Sequence, residues 1–413
     1  MSDIFGILCL VTYGVVVGFS IKRDDPLLLA FALSFLVLYV GQYFALDYLY
    51  SSQPVIRTLD SWGYTDLAAS LLHIYLIYIG VILLCFVSFF DQKKGALEIK
   101  SQSIASQNLF HFVMIVMACM IYVLIVGLDG LFSVRPNFIQ GGTFGSVLIL
   151  SFGLCVNVML FSRSVSFTVY IGLLLLSLLM LMMSGTRIYV IYLLGTSALI
   201  IHRRYHLRLG PGLFILSALS AFLVLILGQS VKEYFGGNLD FEDYVAAVSW
   251  TINNFYVSQV EGFSASASII QKTIDIGSLP FNLGINAMGS LLLLLPGFIR
   301  PKLEIPISQF VFYDQSIVPP AVESFIEYFG PLSVFLHGFA LLWVLNFYRN
   351  TRAMQVRTRL GAYVLIYKLY LVVSSMVLLT RGPVDLIWFT LIPPAFFMYA
   401  HYLFGSTLFK KTR

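Results

Sequence analysis

The sequence predicts an all-α, polytopic membrane protein with about eleven transmembrane helices. Three observations carry that prediction. Of 413 residues, 59% are apolar and 11% charged, and the mean hydropathy is +0.89, which excludes a soluble globular chain. Apolar runs of the roughly 20 residues needed to cross a hydrocarbon core of about 30 Å recur from end to end. The runs are continuous, as in Ile171 to Met183, and lack the alternation of a lipid-facing strand, so an outer-membrane barrel is excluded as well.

Taken in order, the spans fall at 4–21, 27–50, 67–90, 107–128, 143–161, 165–184, 188–202, 211–229, 321–347, 360–380 and 384–406. The first run has no basic leader and no small-residue cleavage pattern, so it is expected to be a retained helix. The loops between spans divide into two classes by charge. One class carries Lys22 and Arg23, then Lys93, Lys94 and Lys100, Arg163, the group Arg203, Arg204 and Arg208, the group Arg349, Arg352, Arg357 and Arg359, and Lys410, Lys411 and Arg413. The other carries Arg57, Arg135, Arg187, Lys232, Lys272, Arg300, Lys302 and Arg381. The classes alternate with one parity. By the positive-inside rule the first is cytoplasmic, which places the amino terminus outside and the carboxyl terminus inside.

The organisation expected is 1–229 with helices 1 to 8, an extracytoplasmic loop at 230–320, and 321–413 with helices 9 to 11. The loop is amphipathic and rich in Asn, Ser and aromatic residues. Within it, Tyr244 to Ile270 reads as one or two helices on the membrane surface, and Asn286 to Leu295 as a re-entrant or interfacial piece too short to span. Cys9, Cys85, Cys119 and Cys155 lie in spans without ligand spacing, and the histidines are scattered, so no metal is expected. No glycine-rich nucleotide loop is present, so no cofactor is expected either. The net charge of +5 resides mostly in the orienting loops and gives no reason to expect a nucleic acid partner.

The candidate functional residues are charges at outer span ends. Arg187, in Ser184-Gly185-Thr186-Arg187, precedes an apolar run of only 14 residues, which covers about 21 Å and leaves a shortfall that draws the arginine inward. It reads either as a phosphate clamp at a helix start or as an interfacial arginine reaching the headgroups. Arg381, in Thr380-Arg381-Gly382-Pro383, has the same two readings, with Asp385 as a possible ion-pair partner. Arg300 and Lys302 stand in the rigid turn Pro296 to Lys302. Glu323 and Glu327 are four apart at a helix start and share a face, where two carboxylates can raise each other's proton affinity or simply form an acidic first turn. Asp314, Arg135, Arg57 and His337 are secondary candidates, the last also readable as a hydrogen-bonded core histidine.

In combination these features resemble the Wzy-type oligosaccharide repeat-unit polymerases. The resemblance rests on Ser184 to Arg187 between two spans, the large late outer loop, the Leu295 to Lys302 turn, Glu323 to Gly330 leading into a span, and the late Arg381-Gly382. It implies a GT-C-like glycosyltransferase of the bacterial inner membrane that makes O-antigen or a similar polysaccharide. Donor and acceptor would both be oligosaccharides linked to polyprenyl diphosphate, amid membrane lipids and with a chain-length regulator protein as partner. On that resemblance Arg187, Arg300, Lys302 and Arg381 neutralise the departing diphosphate, and Glu323 accepts the proton of the attacking hydroxyl. Two alternatives stay open. An O-antigen ligase is expected to carry a histidine in its large outer loop, and 230–320 has none. A lipid-linked oligosaccharide flippase or transporter is expected to show two comparable halves, and no internal repeat is visible.

Overall fold

The computed structural model describes residues 2–45, 64–89, 104–127, 142–161, 166–184, 187–205, 242–243, 245–246, 249, 262–277, 321–381 and 387–410. The described chain is all-helical. In order, the helices are α1 (Ser2–Lys22), α2 (Pro26–Phe35), α3 (Asp66–Phe89), α4 (Ile104–Val126), α5 (Gly142–Val156), α6 (Phe167–Met183) and α7 (Arg187–Tyr205). After these come α8 (Gly262–Ile276), α9 (Ala321–Phe329), α10 (Ser333–Ala353), α11 (Arg359–Thr380) and α12 (Ile387–Lys410). Among the described residues, 7 helical segments are long and apolar enough to cross a membrane, and α6 is a shorter apolar helix. The chain is therefore a polytopic membrane protein. The expected span at 211–229 and most of the 230–320 loop lie outside the described residues.

The chain divides into two compact units that interleave along the sequence. Unit 1 comprises Met1–Gln92, Asn254–Phe347 and Ser374–Thr390, and unit 2 comprises Lys93–Asn253, Tyr348–Val373 and Leu391–Arg413.

In unit 1, α1 packs against α2 and α3 with an inverted polarity. Its inward stripe is Ser2, Gly6, Cys9, Tyr13, Val16 and Ser20, whereas Ile4, Ile7, Leu8, Leu10, Val11 and Val15 face outward. Small and hydrogen-bonding residues inside with aliphatics outside is the arrangement lipid imposes, because hydrocarbon rewards close packing rather than apolar burial. The Tyr13 hydroxyl donates to the Leu76 carbonyl at 3.0 Å, and Tyr13 stacks on Phe35 at 5.7 Å. A short turn joins α1 to α2, and Asp25 caps α2 by accepting from the Leu28 amide at 3.1 Å, with Pro26 opening the helix.

In unit 2, α5 is buried from residue 145 onward, through the 3-10 turn over Asn157–Phe161 that follows it. The helix α7 extends past its apolar run to Tyr205, giving 19 residues or roughly 28 Å. The added last turn carries His202, Arg203 and Arg204, so the apolar run itself is no longer than the sequence shows. The polar last turn fits because Arg203 is buried and donates to the Thr351 carbonyl at 3.0 Å and to the Met354 carbonyl.

Two expectations about the outer segments are corrected. The stretch 321–347 is not one span: α9 ends at Phe329, and Gly330, with φ +46°, and Pro331 open a 3-10 turn before α10 begins. A glycine in the left-handed region followed by a residue without an amide hydrogen breaks the helical ladder. The other concerns α8, the described end of the 244–270 stretch, whose amino-terminal half is packed within the protein. All eight residues from Gly262 to Ile269 are buried, and only the carboxyl-terminal part emerges. A helix enclosed all round is held by protein on every side.

Candidate functional site

The described part of the candidate site belongs to unit 1 and is built on the inserted helix α8. Its amino terminus meets α2 where that helix widens into a π turn over Leu36–Gly41, a distortion that frees backbone carbonyls. Gly262 sits so close to the Leu38 carbonyl oxygen that a Cβ would come within 2.5 Å of it. Just beyond, the buried Gln42 closes the helix end. Its Oε1 accepts from the Phe263 amide at 2.6 Å and the Ser264 amide at 3.4 Å, while its Nε2 donates to Ser264 Oγ at 3.3 Å. These bonds satisfy amides that an inserted helix start would otherwise leave orphaned. At the other end Gln271 Oε1 accepts from the Thr65 amide at 3.0 Å and the Thr65 hydroxyl at 2.6 Å. Phe263 packs on His73 of α3, with ring centroids 5.0 Å apart. From these two contacts α8 runs antiparallel to α3, and Phe263 lies about 12 Å along the helix from Gln271.

Glu323 lies on α9, which packs against α8. It is only 4% exposed, and residues 321 to 326 around it are all buried. The expected face shared with Glu327 cannot be drawn from both carboxylates, because the Glu327 side chain lies outside the described residues. A charged neighbour of Glu323 among the described residues is Lys272 of α8, whose ammonium it attracts. Partial burial lowers the Lys272 pKa, and Glu323 opposes that shift. The Tyr39 hydroxyl of α2 also lies near Glu323 and the Val322 backbone.

Tyr39 connects this carboxylate to the Arg381 turn. Its hydroxyl donates to the Thr380 carbonyl at 2.9 Å, and the neighbouring Leu379 carbonyl accepts from His337 Nε2 at 2.8 Å. Two carbonyls at the end of α11 are thus satisfied by side chains from α2 and α10. Arg381 follows directly, exposed, with its amide donating to the Val377 carbonyl at 2.8 Å. Asp385 lies outside the described residues.

His337 is fully buried with both ring nitrogens engaged. Because a carbonyl can only accept, Nε2 carries the proton, and Nδ1 of the neutral ring accepts from the Tyr75 hydroxyl at 2.9 Å. Phe325 of α9 stacks flat on it, with centroids 4.4 Å apart and planes 6° apart. The histidine therefore positions: it ties α9, α3 and the end of α11 together, and offers no open nitrogen for chemistry.

Arg187, in unit 2, is the first residue of α7, so the helix begins at the arginine itself. Its side chain is outside the described residues, as are Arg57, Arg135, Arg300, Lys302 and Asp314. Sequence reading missed Tyr39, Tyr75, Gln42 and Lys272. The first three are uncharged residues inside apolar runs, and Lys272 read as one more loop charge. The one available signal was the small-residue run Ser264 to Ser268, whose lack of bulk allows a helix to be packed from all sides. No family model, no curated protein and no solved structure matches this chain.

Proposed function

We propose that the chain is a polysaccharide polymerase of the Wzy type, in the bacterial inner membrane, acting on oligosaccharides linked to polyprenyl diphosphate. The observation that supports this reading best is the enclosed carboxylate Glu323, linked through Tyr39 to the turn that presents Arg381. An acceptor for a proton and a cation for a departing anion are the two groups the transfer requires.

In the proposed reaction, the terminal sugar hydroxyl of a new lipid-linked repeat unit attacks the anomeric carbon of the growing glycan. The new glycosidic bond forms as the bond from that carbon to the diphosphate oxygen breaks. The bonding electron pair leaves with polyprenyl diphosphate, and the hydroxyl proton passes to Glu323. Arg381 in unit 1 offsets the charge that develops on the leaving group. Arg187, at the amino-terminal end of α7, is assigned phosphate binding in unit 2, where free helix amides favour anions. Arg300 and Lys302 keep the role that the resemblance implies.

The test is reconstitution of the purified chain with a lipid-linked repeat unit and no nucleotide sugar. A ladder of products one repeat apart supports the polymerase. Transfer of a finished glycan to a lipid A core without a ladder indicates a ligase, and movement of intact lipid across the bilayer without new bonds indicates a flippase.

A further inference from the structure

The two groups assigned to transfer in unit 1 stand on different helices, Glu323 near the start of α9 and Arg381 just past the end of α11. Each is held through the residue beside it. Val322, the second residue of α9, has an amide without an acceptor in its own helix, and that amide hydrogen-bonds to the Tyr39 phenol oxygen. The same hydroxyl donates to the Thr380 carbonyl at 2.9 Å. One oxygen, accepting on one side and donating on the other, thus joins the residue before Glu323 to the residue before Arg381. Two hydrogen bonds through a single atom keep the Val322 nitrogen and the Thr380 oxygen within about 6 Å of each other.

A second bridge runs beside the first. Phe325 of α9 lies flat on the His337 ring, with centroids 4.4 Å apart, and His337 donates to the Leu379 carbonyl at 2.8 Å. Phe35 packs against both bridges, 5.6 Å from the Tyr39 ring and 5.9 Å from that of His337. All three rings are fully buried, so no water competes for these bonds. Tyr39 itself lies in the π turn Leu36–Gly41, a local widening that changes the direction in which its ring leaves α2. Apolar packing alone would tolerate small slips of α9 along α11. A phenol bonded to one particular amide and one particular carbonyl does not.

We propose that Tyr39 is a positioning residue for the transfer, its hydroxyl setting the separation between Glu323 and Arg381. The proposal rests on the polymerase reading. In that reaction the attacking and departing oxygens are both partly bonded to one carbon in the transition state, so proton acceptor and cation must keep a fixed spacing. Misplacement of either by about 1 Å costs on the order of 10²-fold. Tyr39 acts through the two side chains and touches no reacting atom.

The test compares the purified full chain with Tyr39→Phe, which removes the hydroxyl and keeps the ring, on a lipid-linked repeat unit. The kcat is expected to fall about 10- to 100-fold, with KM changed by less than about twofold. In the Glu323→Gln background the same change is expected to cost only about twofold, because the spacing no longer matters once the proton acceptor is gone. An unchanged kcat, or a loss that multiplies fully in that background, overturns the positioning role. Amide hydrogen exchange reads the bridge without any transfer: 321–326 and 378–381 are expected to exchange at least about tenfold faster in Tyr39→Phe, with 2–22 unchanged. Should the variant fail to fold, the wild type decides. Its Val322 amide is expected to exchange as slowly as amides inside α11, and exchange at the rate of an unbonded amide overturns the bridge. The two failures are distinct: a wild type that makes no ladder overturns the polymerase reading and any role in transfer with it, whereas unchanged exchange beside a normal ladder overturns the bridge alone.

Discussion

Glu323 has a charged neighbour that its sequence motif does not show. Spacing relates it to Glu327, and the fold adds Lys272 of α8, which attracts it. The predicted consequence of Glu323→Gln is a loss of transfer of roughly 10²-fold or more, with insertion and apparent Tm retained. Product ladders scored beside a thermal melt check it, and an unchanged ladder removes Glu323 as the proton acceptor. Lys272 gives a pH prediction. Its folded-state pKa is lowered, so between that value and the ordinary 10.5 the unfolded state holds more protons, and this residue's contribution to stability rises with pH. The wild type should therefore gain on Lys272→Met as alkaline pH is approached, measured as apparent Tm against pH. Parallel curves would contradict the assignment.

At the scale of elements, α8 depends on two local fits. Gln42→Ala leaves the buried Phe263 and Ser264 amides unpaired and is expected to cost about 1–3 kcal/mol each in the worst case. Gly262→Ala sets a methyl against the Leu38 carbonyl and should loosen the same junction. Protease sensitivity of α8, compared with that of α1, reads both changes locally. The break between α9 and α10 depends on Gly330, whose positive φ makes Gly330→Ala cost roughly 1–2 kcal/mol. That figure assumes the turn stays as it is. If a continuous helix forms in the variant, Glu323 loses its present surroundings and transfer should fall with stability unchanged.

Across the whole molecule, the expected topology predicts that cysteines introduced at Thr65 and Arg381 label from outside the cell, in a background lacking the four native cysteines. Cysteines introduced at Lys93 and at the exposed Arg357 should label only after permeabilisation, and the reverse pattern would invert the proposed orientation. The helices were legible because lipid demands long apolar runs: α1 and α3 to α7 begin and end close to where hydropathy places them, whereas α2 gives way to a π turn at Leu36. The break at Gly330 was not, since hydropathy does not register a left-handed glycine. Nor was the insertion of α8, because small serines and alanines look like loop until a partner such as Gln42 is seen to hold the helix end. Tyr39 drew no notice in its apolar run and His337 read as a secondary candidate or a core histidine; both are buried, and their hydrogen bonds fix the turn that carries Arg381. The central claim is glycan transfer from a lipid diphosphate. Its most direct test is to count free polyprenyl diphosphate while the purified chain extends a lipid-linked repeat unit. The account predicts one diphosphate released for each repeat added; repeats added without that release, or no repeats added at all, would contradict it.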